Sequence, residues 1–354
     1  MEEITISLHN HTIYSDGSGN HQRVAQAAMN AGLDAVIVTD HNVLVRDFQK
    51  YWYADGKKVL MLIGEEVHDQ ARQPQANHLL VLNASEELAQ FAQSPQRLID
   101  QVQKTGGLSF IAHLYDPACP SIKEGDISWY DWTVKGFTGI ELWNSLSDLK
   151  VNSRNYAEVV FHVFFPKTLF KTASKQILSK WDELLNQGEK VVAIGGADAH
   201  EINAHAGPLK RKVFPYEFHF RTVTTHILLD KPLKEFAKED NDAIMDALSK
   251  GHCYVALDLF KKAAGFRFTC EGNECMGMMG DEVSPNGMFT FKISLPEVTE
   301  CVLLKDGKPI NSWKNKQNII FHAKEKGNYR VEVYRKSIFG KRTAWIYSNP
   351  IYIR

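Results

Sequence analysis

The sequence predicts an α/β fold in which a barrel of repeated strand–helix units precedes an antiparallel β domain. Apolar runs rich in β-branched residues alternate with segments of helical periodicity through about the first 260 residues. Several of the helical segments end at a glycine, which is a common way for a helix to stop. Beyond about Gly265 the pattern changes to short alternating runs separated by turn sequences. These three observations favour a barrel domain over 1–265 and a C-terminal β domain, plausibly a small sandwich, over 266–354.

The predicted strands are apolar throughout, as expected for strands that are buried on both faces in a parallel sheet or barrel. They cover residues 4–8, 35–39, 59–63, 78–82, 108–112, 139–142, 191–195 and 225–229. Helices are predicted over 22–31, 95–105, 174–187 and 241–250, each followed by glycine. Seven or eight such units favour a (β/α) barrel over an open doubly wound sheet. No glycine-rich phosphate loop follows the first strand, which disfavours a dinucleotide fold.

Composition narrows the classes of partner. The 354 residues carry 41 basic and 42 acidic side chains, so the average charge attracts neither nucleic acid nor an anionic membrane. We expect a small-molecule substrate held locally, no membrane partner and no stable nucleic-acid binding. The acidic start and the lack of a long apolar run predict a soluble, cytoplasmic protein. The five cysteines contain no Cys-x-x-Cys pair, so we expect them to be reduced.

Histidines and acidic residues follow the predicted strands and indicate a metal site. Carboxyl ends of barrel strands meet at one mouth, so side chains placed there should converge. Scattered surface histidines would not respect strand boundaries. Histidine and carboxylate without cysteine suit Zn, Mn or Fe(II), and the ligands are too many for one ion, which implies two or three. The candidates at strand ends are His9, His11, Asp16, Asp40, His41, Glu65, Glu66, His78, His113, Asp198 and His200.

Some of these residues also have ordinary interpretations. Asp16 lies in Ser-Asp-Gly, which is a common turn sequence. His78 precedes a buried strand and could be a hydrogen-bonded core histidine. Asp40 could either orient a ligand imidazole or belong to a turn. Asn144 ends a strand beside Trp143, which suggests packing as an alternative to a role in the pocket.

The segments SLHNHTIYSDG, VTDHN, LIGEEVH, FIAHL and IGGADAH resemble, in this order, the PHP (polymerase and histidinol phosphatase) superfamily. The resemblance implies a distorted (β/α)7-type PHP barrel with three metal sites. The first would use His9, His11, Glu66 and Asp198, the second Glu66, His78 and His113, and the third Asp16, His41 and His200. Glu66 is favoured over Glu65 because the family pattern has glycine, one variable residue and then the ligand.

The C-terminal sequence narrows the resemblance. GHCYVALD, MMGDEV, YRVEVY and WIYSNPIYI are similar to the carbaryl hydrolase (CehA/McbA-like) branch of the superfamily. This similarity also accounts for the added β domain, which we expect to contribute no metal ligand.

These residues predict a phosphoesterase that cleaves a small phosphate ester with a metal-activated hydroxide. Glu66 and Asp198 are the predicted catalytic carboxylates, and His205 is the candidate proton donor. Asn144 and Arg211 are candidates for substrate binding, although a charge run such as 210–212 is usually a solvated face. Two alternatives stay open: hydrolysis of a carboxylic ester or carbamate at the same centre, and a metal-binding module without turnover. No Gly-x-Ser-x-Gly elbow supports a serine nucleophile.

Overall fold

The computed structural model describes residues 1–206, 209–273, 275–336 and 340–354, with the side chains of 203–206 and 209–211 left outside the described part. The helices are α1 (His21–Ala31), α2 (Pro95–Lys104), α3 (Ser147–Asn152), α4 (Tyr156–Phe164), α5 (Lys175–Asn186), α6 (Tyr216–His219) and α7 (Ala237–Lys250). Short 3-10 helices cover Arg46–Phe48, Ala89–Phe91, Pro120–Ile122 and Pro166–Thr168. The strands are β1 (Glu2–Asn10), β2 (Ala35–Val38), β3 (Lys50–Ala54), β4 (Lys57–Val67), β5 (Leu79–Leu82), β6 (Leu108–Ile111), β7 (Gly139–Asn144), β8 (Val192–Ala199), β9 (Ile202–Ala206), β10 (Leu209–Val213), β11 (Val223–Leu229), β12 (Cys253–Leu257), β13 (Arg267–Gly272), β14 (Cys275–Met278), β15 (Glu282–Val283), β16 (Phe289–Lys305), β17 (Lys308–Ala323), β18 (Gly327–Lys336), β19 (Arg342–Ser348) and β20 (Ile351–Ile353).

Seven strands close into a barrel in the order β1, β2, β4, β5, β6, β7, β8 and back to β1. All neighbouring pairs are parallel except those of β5, which runs antiparallel to both β4 and β6. The predicted strand at 225–229 lies in β11, which pairs antiparallel with β1 and stands outside the ring. The predicted mixed α/β barrel is therefore confirmed, with one reversed strand that a simple parallel pattern does not contain.

The barrel is closed by apolar packing on both faces of its strands. One buried cluster includes Ile6, Ile37 and Phe110 and draws on most of the ring. Residues that alternate with these along a strand point to the opposite face, where Val36 packs against Val24 of α1. This two-sided burial explains why the strands are apolar throughout.

The glycines that were predicted to end helices adopt the expected backbone conformation. Gly32, Gly106, Gly188 and Gly251 have φ of 76°, 73°, 89° and 76°. The amide of Gly32 donates to the carbonyls of Ala28 and Met29 and so satisfies carbonyls that the helix leaves free. A residue with a side chain would be strained at such a φ.

The C-terminal region is rich in antiparallel β structure, as predicted. Its sheet continues from the barrel, because β11 pairs with β12, β12 with β19, β19 with β18, and β18 with β16. Phe268, Phe291, Tyr329 and Trp345 lie in its buried core. The domain boundary near residue 265 stays a prediction.

Within the described residues, no helix has both the length and the apolar character that crossing a membrane requires. The cytoplasmic location stays a prediction.

A buried ionic network joins β1, β11 and the segment that follows β12. His226 is fully buried, and its imidazole lies 2.9 Å from the Oε1 of Glu3 and 3.0 Å from the Oδ2 of Asp258. Glu3 also accepts hydrogen bonds from Tyr254 Oη at 2.6 Å and from the amide of Gly265 at 2.9 Å. Burial alone would lower the pKa of His226, but the two carboxylates raise it to about 9. The imidazole is therefore a cation at neutral pH and links the barrel to the strands that follow it.

We predict that this network makes stability fall between pH 6.5 and about pH 9. A histidine whose pKa is higher in the folded state than in the unfolded state stabilises the fold. This contribution is complete at a pH below the unfolded-state pKa and is lost as the pH rises through the folded-state pKa. His226→Gln should remove this dependence, which amounts to roughly 3 kcal/mol at most. Urea unfolding at pH 6 and pH 9 measures it. His322→Gln, at an exposed site, is the control and should keep the wild-type dependence. An equal pH slope in His226→Gln and wild type would contradict the assignment.

Candidate metal centre

One mouth of the barrel collects polar side chains from the ends of several strands. The strands β1, β2, β4, β6 and β8 reach it with their carboxyl ends, as parallel strands do. The reversed strand β5 reaches it with its amino end, directly after His78. The structure therefore brings together all nine candidate ligands named from the sequence.

Glu66 lies at the centre of this cluster. It is fully buried near the end of β4, and imidazoles surround both of its carboxylate oxygens. Its Oε1 lies 2.8 Å from His78 Nδ1 and 3.2 Å from His113 Nε2. Its Oε2 lies 2.9 Å from His9 Nε2, 3.1 Å from His11 Nε2 and 3.2 Å from His41 Nδ1. One carboxylate thus faces two separate groups of imidazoles, one on each oxygen.

Asp198 supplies a second buried carboxylate on the side of His9 and His11. Its Oδ1 lies 3.4 Å from the Nε2 of each of these histidines. Its Oδ2 accepts a hydrogen bond from Asn144 Nδ2 at 3.2 Å. His9 and His11 therefore stand between the carboxylates of Glu66 and Asp198.

A third group lies at the solvent-facing edge of the mouth. The carboxylate of Asp16 is 3.0 Å from His200 Nε2 and 3.6 Å from His41 Nε2. His200 Nδ1 lies 2.9 Å from the carbonyl oxygen of Asp198, so its Nε2 is the atom that faces Asp16. The side chain of Asp16 is 56% exposed, which distinguishes this group from the buried ones.

Three of the candidate ligands have an unusual backbone conformation. His9, His113 and Asp198 have φ of 62°, 50° and 51°, a left-handed region that residues with side chains rarely adopt. His9 and His11 are therefore not a regular extended pair, although their imidazoles do converge. Strain of this kind persists where the surrounding structure imposes it, and functional sites are where it typically occurs.

Two outer carboxylates orient the imidazoles. Glu141 Oε1 lies 2.7 Å from His9 Nδ1, and Asp116 Oδ2 lies 3.0 Å from His113 Nδ1. Each contact leaves the Nε2 of the histidine directed at Glu66, as outer-shell partners do in metal sites. A Cβ atom at Gly196 would lie 1.7 Å from Glu141 Oε1, so glycine is needed there.

Asp40 and Glu65 have roles other than direct contact with the centre. The Asp40 carboxylate accepts hydrogen bonds from the amide and hydroxyl of Thr12 and from Ser15 Oγ, and so holds the turn that carries Asp16. Glu65 faces away from the cluster and accepts from the amide of Leu88. Burial raises the pKa of Glu65 to about 7. The choice of Glu66 over Glu65 agrees with this geometry.

The charges of the cluster support ionised carboxylates. Burial alone would raise the pKa of Glu66, but His9, His41 and His78 hold it well below its ordinary value. His9 shows the converse, because Glu66 and Glu141 raise its pKa well above its ordinary value despite its burial. Carboxylates in this state are the form that binds cations.

The residues fit a divalent metal centre. Among the described residues, several buried side-chain atoms lack a hydrogen-bond partner of good geometry; some are in His21, Asn42, Glu65, His68 and Asp116, and three, His11 Nε2, His41 Nδ1 and His78 Nε2, belong to candidate ligands. Buried polar atoms are normally satisfied, so these three point to a ligand. Groups whose ligand atoms lie within 4.8 Å of one another include His9, His11 and Glu66; Glu66, His78 and His113; and His11, Asp16, His41 and His200. The number and identity of the metals stay predictions.

A cavity of about 520 Å³ opens over the cluster. Asp16, His41, His78, His113, Asp198 and His200 form its polar floor, and Ile122, Ile127, Leu146, Leu149 and Ile202 contribute apolar wall. Lys150 also lines it, with a side chain that is only 9% exposed. Its ammonium group pairs with Asp116, which in turn contacts His113.

The predicted substrate-binding and proton-donor residues have different outcomes. Asn144 donates to Glu141 at 3.0 Å and to Asp198 at 3.2 Å, and its Oδ1 accepts from the amides of Leu146 and Ser147. Its amide is thus engaged in holding the site, and a contact with substrate stays a prediction. The side chains of His205 and Arg211 lie outside the described residues, so their roles also stay predictions.

Three residues beside the candidate metal centre, Lys150, Asp116 and His68, were not predicted to belong to the site. Lys150 and Asp116 lie in loop or short-helix sequence without a motif, so only folding reveals them. His68 stacks on His78 with ring centroids 4.4 Å apart, and burial and neighbouring histidines lower its pKa to about 3. The only signal for His68 is its position two residues after Glu66.

Residues 7–129 match the family model described as PHP domain. Among solved structures, the chain is 15% identical to a two-domain protein from Bacteroides vulgatus that contains a predicted PHP-like metal-dependent phosphoesterase. The similarity covers 99% of this chain and 95% of that chain, with a TM-score of 0.42. It is 15% identical to a protein from Bifidobacterium adolescentis described as a candidate metal-dependent phosphoesterase (59% and 92% covered, TM-score 0.33). It is 14% identical to an amidohydrolase from Chromobacterium violaceum with bound sulfate and no metal (60% and 92% covered, TM-score 0.30).

No curated protein matches the chain. The PHP domain match and the histidine–carboxylate cluster support a metal-dependent hydrolase. The narrower similarity to the carbaryl hydrolase branch stays a prediction.

In the described residues, the groups able to hold a metal all lie before residue 265. The expectation that the β domain supplies no ligand stays a prediction. Glu66 contacts both inner groups directly, and the Oδ2 of Asp198 also lies 3.8 Å from His113 Nε2. Asp16 belongs only to the outer group.

We predict that Glu66→Gln lowers bound metal by more than one ion per chain and reduces activity to near background. Asp16→Asn should lose at most one ion and retain measurable turnover, because it leaves the two buried groups intact. Elemental analysis of metal-reconstituted protein measures the content, and circular dichroism checks the fold. Glu65→Gln is the matched control, since its carboxylate faces away. Equal metal content in Glu66→Gln and Glu65→Gln would show that Glu66 does not bridge two sites.

Proposed function

We propose that this protein is a metal-dependent phosphoesterase that hydrolyses a small phosphate ester. The observation that carries the proposal is the buried carboxylate of Glu66 with five imidazoles around its two oxygens. Such a carboxylate can bridge two cations, and paired cations are suited to in-line displacement at phosphorus.

The proposed ligands follow the three groups at the mouth. His9, His11, Asp198 and Glu66 would hold one ion, and Glu66, His78 and His113 a second. Asp16, His41 and His200 would hold a third at the exposed edge. When bound, Zn, Mn or Fe(II) ions would lower the pKa of water and neutralise charge on phosphate oxygens.

The remaining residues bind and orient. Glu66 and Asp198, the proposed catalytic carboxylates, stay ionised and balance the charge of the cations. Glu141 and Asp116 fix the orientation of His9 and His113. His205 stays the proposed donor of a proton to the departing alkoxide, and Arg211 a proposed contact to the phosphate.

Lys150 favours an anionic substrate. It is a cation in the wall of the cavity that opens over the cluster, and its pairing with Asp116 holds it in place. A phosphate group on the floor would gain a charged hydrogen-bond donor there, whereas a neutral ester would gain little from it. The apolar wall suits the carbon skeleton of the leaving group.

We predict that metal-reconstituted protein hydrolyses an aryl phosphate faster than the matching aryl acetate. The two chromogenic substrates share a leaving group, so they differ mainly in the charge and geometry of the reacting centre. Measuring kcat/KM for both in the same preparation tests this. Efficient cleavage of aryl esters or carbamates with no phosphatase activity would establish the alternative hydrolase. Absence of turnover with full metal content would favour the non-catalytic module.

We predict that Lys150→Met lowers kcat/KM for the aryl phosphate by roughly tenfold to a hundredfold, the size expected for a lost charged hydrogen bond. The effect should appear mainly in KM, with metal content unchanged. Lys123→Met, at an exposed position nearby in the chain, is the control and should behave like wild type. An equal loss toward the neutral ester would mean that Lys150 acts on the structure of the centre instead of on the phosphate.

A further inference from the structure

Helix α4 presents an unusual apolar face to solvent. Tyr156, Phe161, Phe164 and Phe165 are 68%, 48%, 57% and 58% exposed, and Val160 is 36% exposed. Positions 156, 160, 161 and 164 recur at helical spacing, so they lie on one face of α4, and Phe165 directly follows it. Single exposed apolar residues are normal, but a contiguous group of large ones marks an interaction site.

The inner side of the same helix is anchored. Val159 and His162 are buried, and His162 Nδ1 lies 2.9 Å from Ser153 Oγ. The side chain of Asn155 accepts a hydrogen bond from the amide of Glu158 and caps the amino end. The helix is therefore fixed to the protein through one side, and its aromatic face is not a misplaced part of the core.

Basic residues follow this face along the chain, and the 3-10 helix that contains Lys167 contacts α4. Residues 154–175 carry four basic side chains and one acidic side chain in a protein whose net charge is -1. Arg154 pairs with Glu158 at 2.8 Å, so Lys167, Lys171 and Lys175 provide the excess positive charge, and all three are exposed. The expectation of no membrane partner rested on the average charge of the chain, which does not describe this local surface.

We infer that the surface formed by Tyr156, Val160, Phe161, Phe164 and Phe165, with Lys167, Lys171 and Lys175, docks on an anionic lipid bilayer. Aromatic side chains on an apolar face with lysines beside them are the features of helices that lie in a membrane interface. Lysines near an anionic surface add attraction that salt weakens. The charge complementarity favours lipid headgroups over a second copy of this chain, because two copies would bring their lysines together.

The apolar surface of α4 lies near the cavity over the candidate metal centre. Helix α4 adjoins the 3-10 helix Pro120–Ile122, and Ile122 lines the cavity over the candidate metal centre. A protein held through α4 would keep this wall of the cavity close to the bilayer.

Cosedimentation of the full-length protein with vesicles tests the inference. Vesicles of equal parts phosphatidylcholine and phosphatidylserine should bind at least tenfold more protein than phosphatidylcholine alone at low salt, and high salt should release most of it. The double variant Phe161→Ser with Phe165→Ser should lose binding. Lys167→Glu with Lys171→Glu should lose the preference for phosphatidylserine, which keeps the test decisive if the first variant folds poorly. Met276→Ser with Ile320→Ser, at exposed apolar positions in the β domain, is the matched control and should bind like wild type.

No binding to the mixed vesicles would overturn the inference, as would binding that both α4 variants retain. Sedimentation velocity without lipid measures whether the protein self-associates. Self-association that the Phe161→Ser, Phe165→Ser variant abolishes, without vesicle binding by wild type, would mean that a second copy covers this face. None of these readouts depends on enzymatic activity, so they stand apart from the test of the proposed phosphoesterase.

Discussion

Burial of negative charge at Glu66 is the constraint on which the mouth of the barrel depends. A carboxylate removed from water is very costly unless opposite charge or hydrogen-bond donors compensate it. Five imidazoles supply this compensation, and Asp198 adds a second buried carboxylate beside two of them. The backbone accepts left-handed conformations at His9, His113 and Asp198 to bring these groups together.

Further charged residues surround the imidazoles that contact Glu66. Glu141 and Asp116 hold two imidazoles by their Nδ1 atoms, so each histidine presents its Nε2 inward. Asp116 also pairs with Lys150, which lines the cavity. In a low-dielectric interior, connected polar groups of this kind stabilise one another when all of them are paired. Asp116 thus connects a residue of the cavity wall with a candidate metal ligand.

The β-rich C-terminal region continues the sheet that starts at β1. Glu3 and His226 tie the start of β1 to β11, and Glu3 also contacts Gly265 at the start of the region that follows. The candidate ligands all lie in the barrel part of the chain. Each part has its own buried core, since Phe110 and Phe291 belong to different apolar clusters.

The positions of the barrel strands, the helix ends at glycine and the gathering of histidines and acidic residues at strand ends follow from the sequence, because apolar periodicity and strand-end positions are local properties. The role of these residues as metal ligands stays a prediction. The choice of Glu66 over Glu65 came from the family resemblance. The reversal of β5, the placement of β11 outside the ring, and the contacts of Lys150, Asp116 and His68 depend on residues far apart in the chain. Only tertiary structure decides these features, because strand direction and side-chain proximity arise from long-range pairing and burial, which leave no periodic signal in the sequence.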